Sequence, residues 1–183
     1  MFFSIWGGIW FLFGMPFLKA LVFPLGLLVL MVPVPAQLYS LATVPLQLLV
    51  SKASAGVAQI AGVPIYREGN VLILPNHKLA VVQACSGLRS LMALITLNII
   101  YGHMTLRNNW LRIILIGCAV PVALLANILR VIIMIICFQY YDFDLTRNFV
   151  HTIFGIFIFA FALAAVAFIK GGLSRWDRAD AMR

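Results

Sequence analysis

Cys85, Arg130 and His151 are the residues whose types and settings fit one chemistry, attack of a thiolate on a carbonyl carbon. Cys85 stands just before a helix start that reads Ser86-Gly87-Leu88. Free backbone N–H groups and the dipole at such a terminus stabilise a thiolate, and Arg89 adds positive charge one turn on. His151 opens an apolar run at a rim that water reaches, where an imidazole suits general acid–base work or pairing with a thiolate. Arg130 lies within an apolar run, with Asn127 three residues before it. A guanidinium there suits an oxyanion or a substrate carbonyl.

Each residue also has a plainer reading. A cysteine at a helix start is commonly a packing residue, and a histidine at an interface is commonly an amphipathic anchor. Arg130 would snorkel to headgroups or pair with Asp142 or Asp144; no carboxylate lies inside an apolar run to neutralise it there. A charge embedded in an apolar span is nevertheless a functional signal by default. Cys118 and Cys137 sit mid-span and read as small packing residues, and three widely spaced cysteines make no disulfide framework. A metal site would need more ligands than one Cys and one His at this level: His77 could join them, but His103 falls at the opposite face. We expect no cofactor and no metal. No serine elbow or phosphate loop is present.

The elements that position these residues must be membrane elements. The 183 residues are 64% apolar and 10% charged, against roughly 45–50% and 25% in a soluble domain. The net charge of +8 does not indicate nucleic-acid binding, because the basic residues gather at the ends of apolar runs, as topology signals do. Apolar runs fall at 2–15, 20–34, 86–105, 111–138 and 151–170. The first is short enough for a partial helix, broken from the second at Pro16 and Lys19. It lacks the basic start and small-residue cleavage site of a signal peptide. Residues 36–62 have helical spacing, with Leu38, Leu41, Val44, Leu48, Val57 and Ile60 on one face, as in a helix on the membrane surface or packed on the bundle. Runs at 63–67, 71–74 and 79–82, with a turn at Glu68-Gly69-Asn70, predict a small β-meander outside the lipid.

Arg107 and Arg112 in one loop, and Lys170, Arg175, Arg178 and Arg183 at the end, place 106–112 and the C-terminus in the cytoplasm. A helix crosses about 30 Å of hydrocarbon in about 20 residues. Counted from the cytoplasmic edges, one crossing ends near Ser86, one at Arg130 and one at His151. Three helices thus bring Cys85, Arg130 and His151 to the outer interface. The fold expected is an all-α polytopic membrane protein of about five transmembrane or half-membrane helices, with an interfacial helix and an extracytoplasmic β-meander. It is read as a single membrane domain over 1–183: N-terminal helices 1–35, an outer segment 36–84, catalytic helices 85–170 and a basic tail 171–183.

Ala84-Cys85-Ser86-Gly87-Leu88-Arg89-Ser90 resembles the catalytic-cysteine motif of the exosortase/archaeosortase family. Ala126-Asn127-Ile128-Leu129-Arg130 resembles that family's Asn-x-x-Arg motif, and His151 with Gly155 one turn later resembles its His motif. Order and spacing match as well, as do Val32-Pro33-Val34-Pro35 and the stretch from Gly62-Val63-Pro64 to Gly69-Asn70-Val71. The resemblance runs over residues 20–165. It implies a membrane cysteine protease and transpeptidase acting on C-terminal sorting signals of exported proteins: a Pro-Glu-Pro-type motif, a transmembrane helix and an Arg-rich end. It also implies Cys85 as nucleophile, His151 as acid/base and Arg130 as the orienting or transition-state residue, supported by Ser86, Gly87, Arg89 and Asn127. The setting implied is the inner (cytoplasmic) membrane with the site facing outward; the partners implied are sorting-signal substrates and membrane lipids. Typical members have several more N-terminal spans, so this chain reads as a short form, and Val150 stands where a Gly usually precedes the His. The alternative readings are a non-enzymatic subunit of export or polysaccharide machinery, with Arg130 gripping an anionic lipid or partner, and acyl transfer through Cys85.

Overall fold

In a computed structural model the described residues are 2–30, 35–75, 78–81, 87–141 and 148–180. They form helices α1 (Phe2–Val29), α2 (Ala36–Ile60), α3 (Gly87–Thr105), α4 (Asn109–Gly117), α5 (Ala119–Tyr141) and α6 (Asn148–Asp180). Strands β1 (Tyr66–Glu68), β2 (Val71–Ile73) and β3 (Lys78–Ala80) lie between α2 and α3. The chain divides into two compact units, Met1–Tyr39 and Ser40–Arg183. Among the described residues three stretches are long and apolar enough to cross a membrane: Trp6–Leu28, Asn109–Tyr141 and Val150–Trp176. Ser90–Thr105 is a shorter apolar helix. The chain is a polytopic, mainly helical membrane protein with a small three-stranded sheet.

Element boundaries depart from the sequence pattern where backbone chemistry intervenes. The two N-terminal runs form one helical stretch kinked at Gly14, whose φ of 75° lies in the left-handed region. Glycine takes that conformation without penalty, and Pro16 disfavours helical backbone just before itself. The break is therefore at Gly14, and helix resumes through Lys19. The run expected at 111–138 is two helices parted at Cys118. Pro121 has no N–H to give to Gly117, so the hydrogen-bond ladder loses one rung there. The last helix extends past Lys170 to Asp180, because the polar tail holds no proline to stop it.

The meander is antiparallel in the order β1-β2-β3. Glu68 pairs with Val71 across the two-residue turn Gly69-Asn70, with Gly69 at φ 61°. The first strand is Tyr66–Glu68 rather than 63–67, because Pro64 cannot donate to a ladder and Gly62, at φ 80°, turns the chain just before it. Leu72 and Leu79 face each other across β2 and β3, both buried. They join Val50, Ala55 and Ala58 of α2 and Val131, Met134, Ile135 and Phe138 of α5 in one core. The Ser51 hydroxyl donates to the Gly69 carbonyl at 2.7 Å, tying α2 to the turn.

α2 presents its small residues to the protein. Thr43, Val50, Ser51, Ser54, Ala55 and Ala58 are buried. The apolar face read from the sequence, which includes Leu41 and Ile60, points outward, with Leu41 73% and Ile60 90% exposed. The grouping of these residues on one face holds, but the face is the outer one. Small side chains let the backbones packed against them approach closely.

A second core unites α3, α4, α5 and α6 through Leu94, Leu106, Leu111, Leu115, Ala123 and Val166, among others. Arg112 closes the α3–α4 loop by donating from Nε and Nη2 to the Leu106 carbonyl, at 2.9 and 2.7 Å. Read from sequence as a topology charge, it also satisfies a carbonyl just past the end of α3.

Candidate active site

The two cores share α5. Ala126 belongs to the inner core of four helices and Val131 to the core under the sheet. Arg130 falls at their junction, 9% exposed, and Asn127, one turn earlier, is 8% exposed. α5 turns Arg130 toward α6, where its Nη2 lies 2.9 Å from Nε2 and 3.4 Å from Nδ1 of His151. The same Nη2 donates to the His151 carbonyl at 3.4 Å.

One Nη2 lies within reach of both ring nitrogens, which places it over the imidazole rather than on a single lone-pair axis. The imidazole brings no counter-charge of its own to the positive charge of Arg130. An apolar surround screens such a charge poorly.

Gly155 supplies the space. It lies one turn after His151 on the same face of α6, and a β-carbon built there would meet Arg130 Nη2 at 3.2 Å and Nη1 at 3.4 Å. The guanidinium thus lies against the α6 backbone. The sequence shows Gly155 as a small residue one turn after His151; its contact with a residue 25 positions away needs the fold.

α3 forms the third wall. Ser90 and Ala93 line, with Arg130, His151, Thr152 and Gly155, an open cleft of about 410 Å³. Behind Arg130 a cavity of about 20 Å³ is bounded by Ser90, Asn127 and Gly155, among others, room for about one water. The sequence marks Ser90 only as the last residue of the motif around Cys85, five residues after it; its place in the cleft wall comes from the fold.

Arg130, His151 and Asn127 are therefore brought together. Gly87 and Arg89 lie in the first turn of α3. Cys85, Ser86, His77, Asp142 and Asp144 lie outside the described residues. Among the described residues no three of His, Cys, Asp or Glu gather as metal ligands would, and Cys118 and Cys137 are free thiols, both half-buried.

Residues 1–168 match the transmembrane exosortase (Exosortase_EpsH) family. No curated protein and no solved structure matches the chain.

Proposed function

Because the chain belongs to the transmembrane exosortase family, we propose that it is a membrane cysteine protease and transpeptidase with Cys85 as nucleophile, His151 as acid/base and Arg130 as oxyanion ligand. The family implies a protease or transpeptidase acting on proteins that carry sorting signals. The observation that carries the finer reading is the 2.9 Å contact between Arg130 Nη2 and the His151 ring, set in a cleft whose third wall is α3, the helix that follows Cys85.

His151 takes the Cys85 thiol proton, and the thiolate attacks the scissile carbonyl carbon. A C–S bond forms as the carbonyl π pair moves to oxygen. Arg130 holds the oxyanion through its guanidinium N–H groups. Collapse breaks the C–N bond, and His151 delivers its proton to the leaving amine. The thioester then passes to an amine, hydroxyl or water that gives its proton to His151 as it attacks. Cys85 leaves as thiolate and recovers the proton.

The substrates on this reading are exported proteins ending in a Pro-Glu-Pro-type motif, an apolar helix and an Arg-rich end, cut at the outer face of the inner membrane. The orientation is supported by the basic loop at Arg107 and Arg112 and the basic tail. The test is processing of a co-expressed reporter with that ending. Cys85→Ala should abolish it, and the joint change Cys118→Ala and Cys137→Ala should leave it intact. Unchanged processing in Cys85→Ala would sink the mechanism.

A further inference from the structure

The cleft at Arg130 and His151 reaches Ala93 on α3 and Phe159 on α6. Below it, on the same pair of helices, a second cavity of about 300 Å³ is bounded by Leu97, Asn98, Tyr101, Leu163 and Val166, among others. At the far end Lys170 Nζ sits 4.9 Å over the Tyr101 ring. From His151 to Lys170 the α3–α6 seam follows 19 residues of helix, about 28 Å at the helical rise, which is the depth of the hydrocarbon.

Asn98 brings a buried amide to this mainly apolar seam. Asn98 is 1% exposed and lies on α3 eight residues after Ser90, about 12 Å deeper. Its Nδ2 donates to the Leu115 carbonyl at 3.0 Å, which fixes the amide. Its Oδ1 accepts no hydrogen bond from a described residue, and the side chain borders the cavity. An acceptor that opens only to an apolar cavity gains when a ligand there supplies a donor.

We propose that the α3–α6 seam is the docking groove for the transmembrane helix of the substrate, with Asn98 Oδ1 accepting a hydrogen bond from a hydroxyl or amide side chain on that helix. The inference rests on the protease reading given above. A helix fits better than a lipid tail because an acyl chain carries no donor for Asn98. The shared pair of helices gives the docked helix its register, because Leu97 and Leu163 of the cavity stand one turn beyond Ala93 and Phe159 of the cleft. Its outer end, where a sorting signal is cut, arrives at Arg130 and His151.

The test uses the full chain in membranes, with Cys85→Ala so that bound reporter is not consumed. The reporter is a secreted domain ending in a Pro-Glu-Pro motif, an apolar helix of about 20 residues with one central Ser, and an Arg-rich end. A photocrosslinking benzoylphenylalanine replaces Leu97 in the groove or, as control, Leu125, which is 65% exposed on α5. The expected result is an adduct with the reporter helix from 97 and not from 125. Asn98→Leu should lower its yield about threefold, the size of one interhelical hydrogen bond. Changing the reporter Ser to Leu should do the same, with no further loss when both are combined. Equal adducts from both positions, adducts with lipid alone, or indifference to Asn98→Leu would overturn the proposal. Processing by the unsubstituted chain without an adduct from 97 rejects the groove and leaves the protease reading. An adduct from 97 without processing does the reverse.

Discussion

The Arg130 guanidinium rests against Gly155, with Nη2 only 3.2 Å from where a β-carbon would stand. His151, one turn back on the same helix, meets that nitrogen through its ring at 2.9 Å. A single face of α6 thus supplies both the hydrogen-bond partner and the clearance for the buried cation. The guanidinium is fixed in position before any substrate arrives, which is what electrostatic preorganisation requires.

Gly155→Ala should therefore damage activity more than stability. The added methyl forces the guanidinium to move by a few tenths of an ångström. Small misplacements of catalytic groups are costly, and about tenfold slower reporter processing is expected, against about a hundredfold for a full ångström. Detergent-solubilised protein should melt within a few degrees of the parent. Wild-type processing in Gly155→Ala would show that the close contact has no catalytic consequence.

Arg130→Lys should fail although the charge is kept. An ammonium is a compact point charge on a flexible stem, without the planar set of donors that lies on Gly155 and reaches His151. Loss of an oxyanion donor costs about a hundred- to a thousandfold in rate. Processing rates for Arg130→Lys and Arg130→Ala should fall together into that range, while binding of the uncleaved reporter persists. A Lys variant close to wild type would mean that charge alone suffices.

The hairpin gives a prediction about stability. Gly69 holds φ 61° in a two-residue turn, and its carbonyl accepts from Ser51 Oγ at 2.7 Å and from Arg67 Nη1 at 2.9 Å. Gly69→Asn should be tolerated, since asparagine visits this region readily. Gly69→Val should lower unfolding free energy by about 1–2 kcal/mol, the cost of left-handed backbone for an ordinary residue. Thermal melts of both variants check this, and equal melting temperatures would contradict the turn geometry.

Much of this was legible in one dimension. The apolar runs, the turn at Glu68-Gly69-Asn70 and the grouping of Arg130 with His151 all follow from local chemistry and from counting residues across a bilayer of known thickness. The grouping was legible because helix rise is constant: equal counts from the basic edges give equal depths. The breaks at Gly14 and Cys118 were less so, since a hydropathy pattern passes over a kink that leaves every residue apolar.

Depth is what the sequence by itself determined: a membrane chain with a cation and an imidazole at one level, on helices that follow a small meander. Direction and contact were decided by tertiary structure. Which face of α2 is buried depends on the neighbour it meets, and the small residues of that helix, rather than Leu41 and Leu48, turn inward. That Arg130 lies on Gly155 and donates to His151 depends on how α5 rotates against α6. The packing of Val131 and Ala126 into two different cores sets that rotation. Two helices fixed at the same depth can still turn any pair of faces to each other, and only the side chains that fill the space between them select one.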